Sequence, residues 1–97
     1  MEVDFLVFGH GHDGALREAE YNGEGHVSLM AAVKAQAIVH GEKIIPQPLR
    51  REIFKVVEHR SEIDHSTYLL AVAEGYIPQN IDVKILHLRP RAKPQDI

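Results

Sequence analysis

The pattern of apolar and polar residues at the start of the chain predicts one buried strand followed by a loop. Residues Val3 to Phe8 begin with polar and apolar positions in alternation and then become apolar on both faces, which is typical of an interior strand. The stretch 9–14 holds three glycines, and glycine loses too much backbone entropy in regular structure to be common there. We therefore expect a strand over 3–8 and a glycine-rich loop over 9–14.

The next two segments each allow more than one assignment. Residues 15–21 have helical composition, but the Asn22-Gly23 that follows is both a helix stop and a hairpin signal, so helix and strand stay open. The run 27–39 contains four alanines and favours a helix through about residue 34. Two apolar arms then flank Gly41-Glu42, which indicates a hairpin over about 35–45.

The second half of the chain predicts two helices and a strand. Apolar residues from Leu49 to Arg60 recur at helical spacing. Ser61 and Asp64 have the spacing of a capping box before the apolar run 68–73, and Gly75 and Pro78 follow it, as expected at a helix end. Residues 81–85 alternate between apolar and polar, which favours a strand.

Together these elements predict a small single-domain α+β fold, with a mixed or antiparallel sheet packed against two or three helices. The chain has 97 residues, of which 44% are hydrophobic, enough for one core without disulfides or metal. We expect one domain over residues 1–88 and a short tail over 89–97, because two prolines and three bases in nine residues do not continue a strand or helix.

Composition excludes several classes of chemistry. The chain has no cysteine, which rules out disulfides, thiol nucleophiles and zinc sites built on sulfur. A net charge of −3 makes nucleic-acid binding unlikely and offers no attraction to an anionic membrane. The acidic start and the absence of a long apolar run lead us to expect a cytoplasmic protein.

Charge is unevenly spread along the sequence. Residues 1–26 carry six acids and one base, whereas no acid occurs between Gly25 and Gly41. The last seventeen residues carry four bases and two acids. This asymmetry permits the two ends of the chain, or two copies of it, to attract each other, although solvated surface charges explain it equally well.

The loop after the first strand holds the strongest candidate for chemistry. His10, His12 and Asp13 place two imidazoles and a carboxylate within four positions, a ligand set that divalent Zn, Ni or Fe accepts. The His-x-His after a strand is similar to that of metal-dependent amidohydrolases, but their barrel needs more than twice this length, so we assign no family. The loop also fits G-x-G-x-x-G, although a short following segment disfavours dinucleotide binding. The simplest interpretation is that both histidines lie in an exposed turn.

The leading functional hypothesis is a non-catalytic binding or self-assembling domain, since a sheet with free edges often covers them by forming a homodimer. No cofactor is expected under this hypothesis. The first alternative is a metal-dependent hydrolase that uses His10, His12 and Asp13. The second is a pH-responsive binding module, because the chain has seven histidines and an imidazole changes charge near physiological pH.

Overall fold

A computed structural model of the protein describes residues 1–31, 51–95 and 97. Within them lie five strands and one helix, listed here in chain order: β1 (Glu2–Gly9), β2 (His12–Glu20), β3 (His26–Met30), β4 (Arg51–Arg60), β5 (Thr67–Val72) and α1 (Ile81–Leu88). The expected hairpin around Gly41 lies outside the described residues.

The five strands form one sheet that curls into a half-barrel. Their spatial order is β2-β1-β5-β4-β3. The central pair, β1 and β5, is parallel, and every other neighbouring pair is antiparallel. Among the described strands, β2 and β3 are therefore the two edges of the sheet, and the curl brings them toward each other.

Alternation of side chains along each strand gives the sheet an inner and an outer face. The concave inner face holds the larger apolar cluster, in which Phe5 and Phe54 are fully buried. Val27 and Leu29 extend this cluster to the β3 edge. The curl thus lets the sheet bury its inner face against itself.

Helix α1 covers only part of the outer face. Ile81 and Ile85, one helical turn apart, pack on Leu6 and Leu70 of the two central strands. Asp82 reaches His59 on β4, with 2.9 Å between Nε2 and Oδ1. On the opposite side, Lys84 Nζ lies 3.5 Å from Asp13 Oδ1 at the start of β2. The helix therefore lies across the middle of the sheet and leaves the outer face of β3 uncovered.

The predicted sheet packed against two or three helices is wrong, because the described residues form a mainly β structure with a single eight-residue helix. The segments predicted as helices over 49–60 and 68–73 contain β4 and β5. β5 lies between β1 and β4 and is buried on both faces, so its sequence is continuously apolar and has no period that separates strand from helix.

The strand predicted over 81–85 is wrong for a related reason. Its apolar positions Ile81 and Ile85 are four residues apart, a spacing that lies on one face of a helix as well as on one face of a strand. The helix ends at Arg89, which has φ of 50°. The open assignment of 15–21 is settled as part of β2, and the predicted first strand is confirmed as β1.

The C-terminal tail wraps around one end of the sheet. Arg91 binds Asp4 on the outer face, with 3.0 Å between Nη2 and Oδ1. The backbone N–H of Lys93 then donates to the Thr67 carbonyl at 2.7 Å. Ile97 packs against the inner cluster. The tail, which has no helix or strand among its described residues, thus connects the two faces of the sheet.

Gly9 tests the close contact between β1 and the end of β5. It has φ of +98°, and a Cβ at this position would lie 2.3 Å from the Cβ of Ala73. Gly25 is a matched control, because it has φ of +89° but no atom within 4 Å of such a Cβ. We expect Gly25→Ala to cost about 1–2 kcal/mol of unfolding free energy through backbone strain. Gly9→Ala should cost a further 1–3 kcal/mol or so through overpacking.

Urea unfolding followed by circular dichroism measures both variants. Equal destabilisation of the two variants would contradict the packing of Gly9 on Ala73.

Candidate functional site

The predicted glycine-rich loop is a tight hairpin turn. Gly9 pairs with His12, which leaves His10 and Gly11 as the two turn residues. Their φ angles are 49° and 87°, and positive φ at both central positions is the mark of a type I′ turn. A second strand follows this turn instead of a helix, so the loop lacks the helix N-terminus that a dinucleotide-binding motif requires.

His12 connects the two edges of the sheet. Its side chain is buried, and its Nε2 lies 2.9 Å from the carbonyl oxygen of Met30 at the end of β3. Because a carbonyl only accepts, the ring must carry its proton on Nε2. The ring also meets Phe54 edge-on, with centroids 6.2 Å apart. The role that the geometry supports for His12 is closure of the barrel at this end.

The structure brings His10 and His12 to the same aromatic ring but places Asp13 elsewhere. The His10 ring lies 5.2 Å from that of Phe54, and its Nε2 is 3.9 Å from Glu52 Oε2. The Asp13 carboxylate is largely exposed and faces Lys84. Alternation along β2 explains this separation, since neighbouring residues point to opposite faces.

Among residues 1–31, 51–95 and 97, no group of three or more histidine, aspartate or glutamate side chains is placed to hold a metal ion. Metal binding by His10, His12 and Asp13 stays a prediction from the sequence. It would use the unprotonated Nδ1 of His12 and would require Asp13 to leave Lys84, so the described conformation does not favour it.

The other described histidines are dispersed. His26 is exposed. His59 binds Asp82, and this hydrogen bond lowers the pKa of the aspartate, whereas His65 is exposed beyond the end of β4. His87 is exposed on α1.

Both edges of the sheet use side chains to occupy backbone carbonyls. In an antiparallel ladder, successive residues of an edge strand point their backbone groups alternately toward the partner strand and away from it. The hydrogen bonds from Tyr21 N–H to the Met1 carbonyl and from Val56 N–H to the Gly25 carbonyl show which residues of β2 and β3 point toward the partner. The carbonyls of Leu16, Ser28 and Met30 therefore point away from the partner strand. These carbonyls accept from Arg17 at 2.7 Å, from Arg51 at 3.2 Å and from His12 at 2.9 Å, respectively. Such occupation disfavours the addition of a further strand.

A groove of about 300 Å³ lies between the end of β2 and the start of β3. Its walls include the carboxylates Glu20 and Glu24 together with Arg51. Apart from Tyr21 and Val27, its lining is polar or consists of small side chains, so it lacks the apolar walls of a typical small-molecule site.

The outer face of β3 and β4, which no other described helix or strand covers, is the more informative surface. We call it the β3–β4 outer surface and define it by three cross-strand pairs: His26 with Lys55, Ser28 with Ile53, and Met30 with Arg51. None of these six residues is acidic. Ile53 is 70% exposed although it lies in the middle of a strand. In the described part of the chain, no carboxylate forms an ion pair with Arg51 or Lys55.

Sequence reasoning missed this surface, although the signal was present. The acid-free stretch after Gly25 was noted, but residues 51–57 were assigned to a helix, on which Arg51, Ile53 and Lys55 would not share a face. In a strand these three residues alternate with Glu52 and Phe54 and so point to the same side. Once this segment is assigned as a strand, Arg51, Ile53 and Lys55 form one basic and apolar surface.

Comparisons with known proteins supply no relative. No family model matches the chain, and the searches of curated proteins and of solved structures found no match. Across the described ranges, no helix has the length and apolar character needed to cross a membrane. Functional inference therefore rests on the geometry of the chain itself.

His12→Ala tests whether the edges are held together as described. The change removes a buried donor and leaves the Met30 carbonyl without it, so we expect a loss of about 1–3 kcal/mol in unfolding free energy. His10→Ala is the control, because its ring is partly exposed on the same turn, and we expect a loss of about 0.5 kcal/mol or less. Urea denaturation measures both, and an equal loss in the two variants would be inconsistent with a bridging role for His12.

Proposed function

We propose that this protein is a non-catalytic binding domain that uses the β3–β4 outer surface to bind protein segments with acidic and apolar side chains. The observation that carries the proposal is the position of Ile53, 70% exposed and flanked along β4 by Arg51 and Lys55. A large apolar side chain at the centre of a sheet face normally has cover. Its exposure between two cations supports a partner that supplies both apolar contact and negative charge.

The charge of the surface supports a peptide or protein partner over a nucleic acid. Phosphate backbones are bound by several cations together, whereas this surface offers Arg51 and Lys55 with an imidazole at His26. Arg51 already donates to the Ser28 carbonyl and lies 3.3 Å from the Ser28 hydroxyl, which holds its guanidinium over the strand. Ile53 and Met30 add apolar area next to these cations, and acidic segments with interspersed leucine or phenylalanine match this mixture.

The size of the surface supports weak, transient binding. Six side chains on two strands present much less area than the roughly 800 Å² per partner of a standard stable interface. Val57, 37% exposed and paired with Leu70, extends the apolar area along β4 toward α1. Weak binding of this kind is common in regulatory and assembly contacts.

A synthetic peptide that alternates leucine and glutamate tests this proposal directly. In a titration followed by two-dimensional NMR, we expect shifts at Ser28, Ile53 and Lys55 and none at Val83, which is exposed on α1. Lys55→Glu should weaken binding about tenfold, because it replaces an attraction with a repulsion. Added salt should also weaken binding, since exposed charges are screened.

Arg60→Glu is the matched control for the charge reversal. Arg60 is exposed on the same strand as Lys55 but lies at its far end, outside the β3–β4 outer surface. The peptide should bind this variant as it binds the original chain. Peptide shifts confined to other surfaces, or equal affinity for Lys55→Glu and Arg60→Glu, would refute the proposed function.

A further inference from the structure

The outer face at the opposite edge of the sheet has the complementary charge. Glu2 pairs with Glu20 and Asp4 with Glu18 across β1 and β2, so all four carboxylates share the outer face with Leu6 and Leu16. We call these four residues the β1–β2 acidic surface. It lies next to the β2 edge, whereas the β3–β4 outer surface lies at the β3 edge.

The β1–β2 acidic surface keeps an excess of negative charge. Arg91 binds Asp4 and Glu18, and the N-terminal amine binds Glu20, so two cations face four carboxylates. The repulsion is visible at Glu2, whose pKa is raised by its hydrogen bond with Glu18 and by the charges of Glu18 and Glu20. The four carboxylates of this surface can therefore bind further cations.

Apolar area accompanies the acids, as it accompanies the bases at the other edge. Leu88 is 41% exposed and precedes Arg91 by three residues, which places it within about 10 Å of the residue that binds Asp4. One copy of the chain thus carries both halves of a mixed acidic, basic and apolar contact, and the two halves meet across the groove that Glu20 and Arg51 line.

We infer that the partner of the β3–β4 outer surface is the β1–β2 acidic surface of a second copy of this chain. This inference rests on the proposed function and specifies its ligand. Because both surfaces border one groove of each copy, the contact can be made twice about a two-fold axis, with the acidic surface of each copy on the basic surface of the other. Assembly is therefore a symmetric dimer that forms as protein concentration rises and weakens with salt.

Charge reversal at one surface at a time tests whether assembly uses these two surfaces. Arg51→Glu/Lys55→Glu removes the basic half and leaves the acids intact. Glu2→Lys/Glu20→Lys reverses the acidic half and leaves Glu18 with Arg91. All four positions are exposed, so both variants should fold, which circular dichroism checks.

Sedimentation velocity over low micromolar to near-millimolar protein is the readout. We expect the original chain to pass from monomer to dimer as its concentration rises, and each variant alone to stay monomeric. An equimolar mixture of the two variants should form a one-to-one dimer, because the intact acidic half of the first meets the intact basic half of the second and the two reversed halves also carry opposite charge. Arg60→Glu serves as the control and should assemble as the original chain does.

The outcomes distinguish this inference from the proposed function. A chain that stays monomeric at every concentration, or a mixture of variants that forms no dimer, overturns the inference. If the leucine–glutamate peptide still binds the β3–β4 outer surface in that case, the proposed function stands with a different acidic protein as partner. Assembly that persists unchanged in Arg51→Glu/Lys55→Glu also overturns the inference, because the contact then lies elsewhere.

Discussion

The structure depends on one constraint, which is that a five-stranded sheet has two faces to cover and only one eight-residue helix among the described residues to cover them with. The curl of the sheet covers the inner face, where Phe5 and Phe54 have no solvent exposure. The helix, about 12 Å long and 10 Å wide, spans only two or three strands at a spacing of about 4.8 Å. The helix therefore leaves part of the outer face without cover from any other described element.

The position of the helix decides which part is left exposed. Ile85 packs over the two central strands, and the contacts of Asp82 and Lys84 fix the helix on either side. At the edges of the sheet, Arg17, Arg51 and His12 donate to backbone carbonyls that another strand would otherwise bond to. These occupied carbonyls agree with the proposal that binding uses the outer face of β3 and β4 and not the edges.

The sequence predicted those elements whose pattern has one interpretation. Val3 to Phe8 was correctly assigned, because aromatic and β-branched residues bounded by glycine favour a strand. Residues 68–73 were misassigned, since a strand buried on both faces has no alternation to detect. The short apolar pattern of 81–85 also fits both periods, and here the spacing of Ile81 and Ile85 follows the helix. Pairing with β1 and β4 decided the first case and packing of Ile81 and Ile85 on the sheet decided the second, and neither contact is encoded locally.

The candidate site, too, could be predicted only in part from the sequence. The motif at His10, His12 and Asp13 was visible in the sequence, but strand alternation sends Asp13 to the opposite face from His12, and a single carbonyl on β3 accounts for the position of the imidazole. The β3–β4 outer surface was invisible until the period of residues 51–57 was known. Residue types alone thus indicated candidate chemistry, whereas the positions of the side chains could be assigned only from the sheet topology.

The central claim is that Ile53 and its basic neighbours form an open surface that a partner covers. Relaxation of side-chain methyl groups by a soluble nitroxide measures this directly. In dilute protein the Ile53 methyls should relax as strongly as those of Val83, which is 52% exposed on α1. At high protein concentration the Ile53 methyls should become protected while those of Val83 stay accessible. Protection of Ile53 already in dilute protein, or equal accessibility of both residues at every concentration, would contradict the account.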